Sequence, residues 1–387
     1  MPEGFLRDLR YTLRTLRRDL GFTTFAVLIT GLGIGASATV FSVVDSLLLR
    51  PLPFENPERL VWVANHDSAG MSGQTTQVGH LLDLRAQNQS FTDIAGYFAF
   101  YEVGDNLLTS GSGEPERLSG VPVSQNFFPM LGVKPLIGRQ FTDEECKWNG
   151  PKAVMLGYGL WKRRFASNPA IVGTTLRINN EPVTVAGVLP SSFDLASILA
   201  PGSHFDLYFP FPLSPETNRW GNTMAMIGRL KPGVSVASAQ AEISILAQRL
   251  THAHPERNDF EGIVTPLSDH VSGRIRPALF VLTGAVGVVM LIVCANLSNM
   301  LLARTAARHK EMAIRTALGA GRGRLIRQML TEGLTLSACG AVLGIILAAI
   351  GIRVMAGLDA LSIPLLAGAR LDLPVLGFCL ASAIVTG

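Results

Sequence analysis

Cysteine, charge and the short motifs of catalytic sites are all scarce in this chain. Of its 387 residues only four are cysteines, and only Cys146 lies in the segment 51–276, so that segment cannot form an internal disulfide. Charged residues make up 16%, well below the roughly 25% of a typical soluble domain. The sequence has no G-x-x-x-x-G-K-[ST] loop, no G-x-S-x-G elbow and no paired Cys or Cys/His spacing. These absences favour a non-catalytic protein without a nucleotide, cofactor or metal site of its own.

Long apolar runs are abundant instead. Residues 22–50, 277–303 and 333–357 are each long and apolar enough to cross a hydrocarbon core of about 30 Å as a helix. A fourth run, 373–387, has only roughly 15 residues, so we expect an incomplete fourth helix and a fragment or half of a longer protein. The first run has an alternative interpretation as a signal peptide cleaved near Ala38. Its apolar character continues to Leu49, which favours an uncleaved anchor.

Basic residues are distributed unevenly along the chain. Arginine is frequent in the short segments 1–21 and 304–332, whereas the segment 51–276 is nearly balanced in charge. The positive-inside rule therefore predicts that the two short segments are cytoplasmic and that 51–276 and the loop 358–372 lie outside. Leucines spaced by three and four in 1–21 predict an amphipathic helix, either on the membrane surface or packed on another element. This distribution indicates that the net charge of +4 reflects basic segments next to a membrane, and it argues against a nucleic-acid partner.

The segment 51–276 mixes strand and helix patterns, so we expect an α+β domain inserted between transmembrane helices. Its strand candidates are residues 58–64, 152–157, 174–178, 182–189, 205–211 and 224–230. Its helix candidates are residues 81–89, 160–166 and 235–252. The pair Asn179–Asn180 predicts a hairpin turn, and Thr142 before Asp143–Glu145 predicts a capped helix start.

Small and amide side chains inside the apolar runs indicate helix packing. Asn296 and Asn299 follow ten apolar residues, and such amides bond either between helices of one chain or across a seam with a second unit. Glycines in the first and third runs allow two backbones to approach closely. The residues selected for this role are Gly31, Gly35, Gly340 and Gly344.

The segment 304–332 carries the most specific pattern. Residues 311–320 (EMAIRTALGA) and 325–332 (LIRQMLTE) resemble the core of the FtsX-like permease family. Four further stretches resemble the MacB-like periplasmic core domain: 123–132 (VSQNFFPMLG), 138–141 (GRQF), 159–165 (GLWKRRF) and 228–234 (GRLKPGV). Residues 8–11 (DLRY) and 47–53 (LLLRPLP) are similar to the duplicated permeases of this superfamily. The motifs occur in family order over nearly the whole chain.

This resemblance implies the membrane subunit of an ABC-type transporter of the mechanotransmission kind. It implies four transmembrane helices per unit, an N-terminus in the cytoplasm and a periplasmic domain outside the bacterial inner membrane. A separate ABC ATPase would bind ATP and grip the segment 304–332. Glu311 and Arg315 would orient that ATPase, Ile314 and Leu318 would fill an apolar groove, and Gly319 would end the helix.

The same resemblance leaves the physiological role open. One hypothesis is the extrusion of hydrophobic molecules, peptides or lipid-like substrates, with a second permease unit as a dimer or tandem duplicate. The alternative is an FtsX-type signalling or scaffold protein that activates a periplasmic partner such as a cell-wall hydrolase. A third possibility is a fragment that does not function alone.

Overall fold

The computed structural model divides the chain into two compact units. They are the sheet domain, Pro51–Arg274, and the helical unit, which combines Met1–Arg50 with Ile275–Gly387. The structure describes residues 12, 14, 16–65, 74–100, 106–109, 114–199, 204–257, 260–273, 275–307, 322–356 and 371–386. The predicted coupling residues Glu311, Ile314, Arg315, Leu318 and Gly319 lie outside the described residues, as does most of the predicted helix in 1–21.

The α-helices are numbered in chain order. Those of the helical unit are α1 (Leu20–Val44), α9 (Arg276–Ala307), α10 (Arg322–Ala356) and α11 (Leu373–Thr386). Those of the sheet domain are α2 (Val78–Gln87), α3 (Phe127–Leu131), α4 (Tyr158–Phe165), α5 (Ala196–Leu199), α6 (Pro215–Asn218), α7 (Val236–Ala253) and α8 (Leu267–Ser272).

One mixed sheet runs through the described part of the sheet domain. Its strands are β1 (Leu60–Ala64), β2 (Phe91–Phe98), β3 (Asn106–Leu108), β4 (Glu116–Leu118), β5 (Gly120–Val123), β6 (Ile137–Gly138), β7 (Ala153–Leu156), β8 (Thr175–Ile178), β9 (Glu181–Val188), β10 (Leu207–Pro210), β11 (Met224–Leu230) and β12 (Ile263–Pro266). Their order is β12-β1-β11-β2-β5-β10-β7-β9-β8-β3-β4, with β6 paired to β9. Only β5–β10 and β7–β9 are parallel among these pairs. The α+β prediction is confirmed.

Two hydrophobic cores support this sheet, one in each lobe. In the first lobe, α2 and α7 cover β1, β2 and β11, and Leu81, Leu84, Ile243 and Leu250 are buried between them. Their spacing of three or seven residues places each pair on one helix face. In the second lobe, α4 covers β7 to β10 and buries Leu160 against the strands.

The hairpin expected at Asn179–Asn180 is confirmed, since β8 and β9 pair around it and both asparagines have positive φ, 51° and 64°. Two other expectations were wrong in detail. The strand expected from residue 58 begins at Leu60, because Pro57–Arg59 forms a 3₁₀ turn and proline has no N–H to donate. No helix follows Thr142; the described segment is a series of turns that ends at Asn149, whose φ is +57°.

Three helices of the described chain are long and apolar enough to cross a membrane, namely α1 with its π-helical end, α9 and α10. The shorter α11 packs on α1, where the Phe41 and Phe378 rings stack with centroids 4.6 Å apart. In the observed helices, α9 and α10 extend into the ends of the predicted 304–332 loop. Leu16 is buried with Ala26 and Leu297, so this part of the N-terminal segment packs on protein.

Candidate coupling site of the helical unit

The backbones of α1 and α10 approach closely where both helices carry glycine. A Cβ placed on Gly31 would lie 2.8 Å from the Leu343 side chain, and one on Gly35 would lie 3.0 Å from the Gly344 carbonyl oxygen. On the facing helix, a Cβ on Gly340 would lie 2.6 Å from the Thr30 methyl group. The structure therefore brings together all four selected glycines, which we call the glycine seam. Larger side chains there would push the two helices apart.

The two selected asparagines lie elsewhere. Asn296 and Asn299 are exposed on α9, whereas Leu297 between them is buried. Apolar side chains on α9, including Leu291 and Ile292, are exposed as well. The amides therefore face away from the glycine seam, and a helical contact that uses them requires a partner outside the described residues.

A buried ion pair joins α9 to α10 near the ends of the undescribed segment 308–321. The Arg304 guanidinium lies 2.8 Å from the Glu332 carboxylate, and the two side chains are only 7% and 13% exposed. The same guanidinium stacks over the Phe22 ring of α1, with its Cζ 4.4 Å from the ring centroid. Three helices therefore meet at one charged contact, which we call the Arg304 node.

Neither Arg304 nor Glu332 was assigned a structural role from the sequence. A signal was nevertheless present, because opposite charges stand at the two ends of the predicted 304–332 segment. Two long helices that flank a short connection tend to lie antiparallel and side by side, which brings those ends together.

A second charged contact lies at the opposite end of α1. Arg50 Nε is 2.8 Å from the Asp45 carboxylate, and the Arg50 guanidinium also pairs with Asp372. Asp45 is buried in the π-helical turn Asp45–Leu49, and the Asp372 carbonyl oxygen accepts from the Leu376 N–H at the start of α11. Arg50 therefore ties the end of the first span to the beginning of the fourth helix.

Neither charged contact resembles a catalytic or metal centre. Each holds one arginine against carboxylates, and the described residues contain no group of three or more His, Cys, Asp or Glu able to hold a metal ion. Such contacts can orient helices and transmit their movement. Three helices able to cross a membrane, with a large α+β domain inserted between the first and second, are the arrangement expected of a membrane permease subunit.

Comparison with protein families agrees with that class. Residues 23–246 match the MacB-like periplasmic core domain, and residues 283–386 match the FtsX-like permease C-terminal region. The chain belongs to the MacB-like, FtsX-like permease family of ABC transporters.

Two export proteins and one solved periplasmic region are similar to this chain. The chain is 25% identical over 283 residues to the pyoverdine export ATP-binding/permease protein PvdT of Pseudomonas syringae pv. syringae, covering 71% of this chain and 40% of that protein. It is 27% identical to the macrolide export ATP-binding/permease protein MacB of Campylobacter jejuni, over 60% of this chain and 35% of the relative. The periplasmic region of MacB from Actinobacillus actinomycetemcomitans aligns with a TM-score of 0.42 at 16% identity, over 59% of this chain and 97% of that one. The chain thus spans less than half the length of these two export relatives.

Proposed function

We propose that this chain is the permease subunit of an exporter in which a separate ATPase drives movement of the sheet domain. Closure of the ATPase on the segment 304–332 pushes on α9 and α10. The Arg304 node passes the push to α1, which leads into the sheet domain. Hydrophobic molecules, peptides or lipid-like compounds are the proposed substrates. The proposal places the chain in the bacterial inner membrane with its N-terminus in the cytoplasm.

The Arg304 node is the observation that carries this proposal. A buried ion pair is costly to desolvate, so it adds little net stability compared with apolar packing. It does hold its two partners in one geometry, because removing either charge leaves the other buried. The node joins α9, which precedes the segment 308–321, to α10, which follows it. A force applied to that segment can therefore move both helices together.

ATPase stimulation tests the docking part of the proposal. The full chain is co-purified with its ATPase in lipid nanodiscs, and ATP hydrolysis is measured with and without the permease. We expect Leu318→Asp to abolish stimulation, because a carboxylate cannot enter an apolar groove. Thr316→Asp adds the same charge two residues away, at a position to which the family resemblance assigns no docking role, and should leave stimulation nearly intact. Full stimulation by a well-folded Leu318→Asp variant would contradict the proposal.

A double-mutant cycle tests the node itself. We expect Arg304→Gln and Glu332→Gln each to reduce stimulation strongly, because each leaves one buried charge without its counter-charge. The double variant Arg304→Gln/Glu332→Gln removes both charges and should recover folding and ATPase binding but not full coupling. If all three variants stimulate as the unmodified chain does, the node has no role in coupling.

The FtsX-type signalling role remains the alternative to export. Its distinguishing result is capture of a cell-wall hydrolase by the sheet domain, together with unchanged compound resistance after deletion. Export is preferred because the names of the two relatives describe export proteins.

A further inference from the structure

The sheet domain contains a cleft whose exposed side chains are unusually aromatic. Two of the four tryptophans, Trp62 and Trp161, are buried in the domain. The other two, Trp148 and Trp220, are 40% and 51% exposed, and both line this cleft. Exposed tryptophan is costly to hydrate and is frequent where a protein meets a ligand.

The tryptophans come from different parts of the sheet domain. Trp148 lies in the turns before β7, and Trp220 follows α6 on the way to β11. Their ring centroids are 5.9 Å apart in an edge-to-face arrangement. Trp220 is also edge-to-face with Phe98 and with the buried Phe211, so its ring is held in place on one side and open on the other.

The size and lining of the cleft suit a small molecule. It encloses about 430 Å³, within the range of ligand pockets, which runs from about 300 to 1,000 Å³. Its walls combine aromatic rings with the proline rings of Pro122, Pro151, Pro210 and Pro212. Proline offers no N–H and little freedom of movement, so the parts of the wall that it forms are apolar and rigid.

The charged side chains in the lining are Glu145, Glu181, Lys147 and Lys152, and they favour an anionic ligand once the positive charge of Arg139, next to the lining, is counted. Glu145 is one carboxylate in the lining, but the Arg139 guanidinium holds it through two hydrogen bonds of 2.6 and 2.9 Å. This contact lowers the pKa of Glu145, so it stays charged and neutralised by Arg139. Lys147 and Lys152 line the same cleft, and their side chains are 70% and 60% exposed.

The ion pairs of these lysines are easily exchanged. Lys147 Nζ is 3.9 Å from Glu144 and Lys152 Nζ is 3.3 Å from Glu181, and both carboxylates are more than half exposed. Exposed pairs of this kind contribute about 0–1 kcal/mol. The carboxylate of a ligand can therefore replace Glu144 or Glu181 as the partner of a lysine, while the aromatic rings of the ligand cover the two indoles.

We propose that the cleft between Trp148 and Trp220 binds small amphipathic molecules with a planar aromatic body and one carboxylate or similar anionic group. Because Trp148 precedes β7 and Trp220 precedes β11, such a molecule joins two parts of the sheet domain that are remote in the chain. Binding to the cleft does not depend on the proposed function. The identification of the bound molecule as the exported substrate rests on it.

Photo-crosslinking tests binding directly. The full chain in lipid nanodiscs, without ATPase, is irradiated with 4-benzoylbenzoate, and labelled peptides are identified by mass spectrometry. We expect saturable labelling of peptides that contain Trp148 or Trp220, competed by 2-naphthoate. Absence of saturable labelling at these peptides would overturn the proposal.

Matched variants locate the interaction. We expect Trp148→Leu/Trp220→Leu to weaken labelling at least about tenfold, and the single, exposed change Trp148→Leu to weaken it several-fold while the domain remains folded. Lys147→Gln should weaken labelling several-fold, whereas Lys134→Gln, another exposed lysine, should not. Unchanged labelling in the folded Trp148→Leu and Lys147→Gln variants would overturn the proposal.

The binding and coupling experiments fail independently. Loss of cleft labelling with normal ATPase stimulation would remove the cleft proposal and leave the proposed function standing. Normal cleft labelling, together with full ATPase stimulation by the Leu318→Asp variant, would remove the proposed function and leave the cleft proposal standing.

Discussion

The sheet domain and the helical unit are packed with opposite kinds of side chain. Large apolar residues such as Phe127 and Phe128 fill the sheet domain and are fully buried. The α1–α10 contact instead depends on glycine, as at Gly31 and Gly340. The physical reason is the solvent: water drives large apolar side chains together, whereas lipid does not, so membrane helices gain by approaching closely. Shortening a buried side chain should therefore be costly in the sheet domain, and enlarging a small one should be costly in the helical unit.

Removing a ring from the sheet domain tests the first half of the comparison and should have the largest effect. Phe128 is fully buried among the rings of Phe141, Phe193 and Tyr208. We expect Phe128→Ala to lower the free energy of unfolding by about 4 kcal/mol, through lost burial and an unfilled cavity. Urea unfolding followed by tryptophan fluorescence measures it. The exposed Leu136 is the control, and Leu136→Ala should cost under about 0.5 kcal/mol. A similar loss in both variants would contradict the comparison.

His80 extends the comparison to a buried titratable group in the sheet domain. Its ring is buried, stacks on Phe260 and lies 2.9 Å from the Thr76 hydroxyl. The pKa of His80 is lowered from 6.5 to about 4, mainly by burial and secondarily by the nearby Arg257, while Asp83 opposes the shift. The folded domain therefore holds His80 neutral over a range in which the unfolded chain binds a proton.

Stability from this group is fully present above pH 6.5 and is lost as the pH falls towards 4. We expect a loss of about 3 kcal/mol across that range from His80 alone, measured by urea unfolding at each pH. His80→Gln should flatten the profile, whereas His252→Gln, at an exposed histidine, should leave it unchanged. An equally steep profile in His80→Gln would show that another group is responsible.

Enlarging a glycine tests the other half of the comparison. Gly340 has no room for a Cβ against Thr30, whereas Gly377 in α11 has nothing within 4 Å. We expect Gly340→Leu to destabilise the helical unit by about 2 kcal/mol and Gly377→Leu to have little effect. Thermal unfolding in nanodiscs, followed by circular dichroism, compares them. Equal stability of the two variants would show that the glycine seam is not a tight contact.

The outward face of α9 should give the smallest effect. If Asn296 and Asn299 bond to a second permease unit, Asn296→Leu/Asn299→Leu should weaken association by about 1 kcal/mol, or roughly fivefold. Thr283→Val is the control, because that hydroxyl donates to the Leu279 carbonyl of its own helix. Single-molecule photobleaching in nanodiscs counts the subunits. Unchanged association would remove these amides from any dimer seam.

Much of the architecture could be predicted because its signals are local. The spans follow from apolar length, the α7 stripe from the period of a helix, and the Asn179–Asn180 turn from the tolerance of asparagine for positive φ. The helix expected after Thr142 shows the limit of such signals. Glu145 does interact with Thr142 as a capping pair would, but it also binds Arg139, and the chain turns instead of continuing as a helix.

By itself, the sequence determined the membrane spans, the inserted α+β domain and the positions of the glycines, because periodicity and composition act over a few neighbouring residues. Only the tertiary structure decided the sheet order, the Arg304 node and the meeting of Trp148 with Trp220. Each of these joins residues that are remote in the chain. Their contact depends on how whole elements pack, and no local pattern encodes that packing.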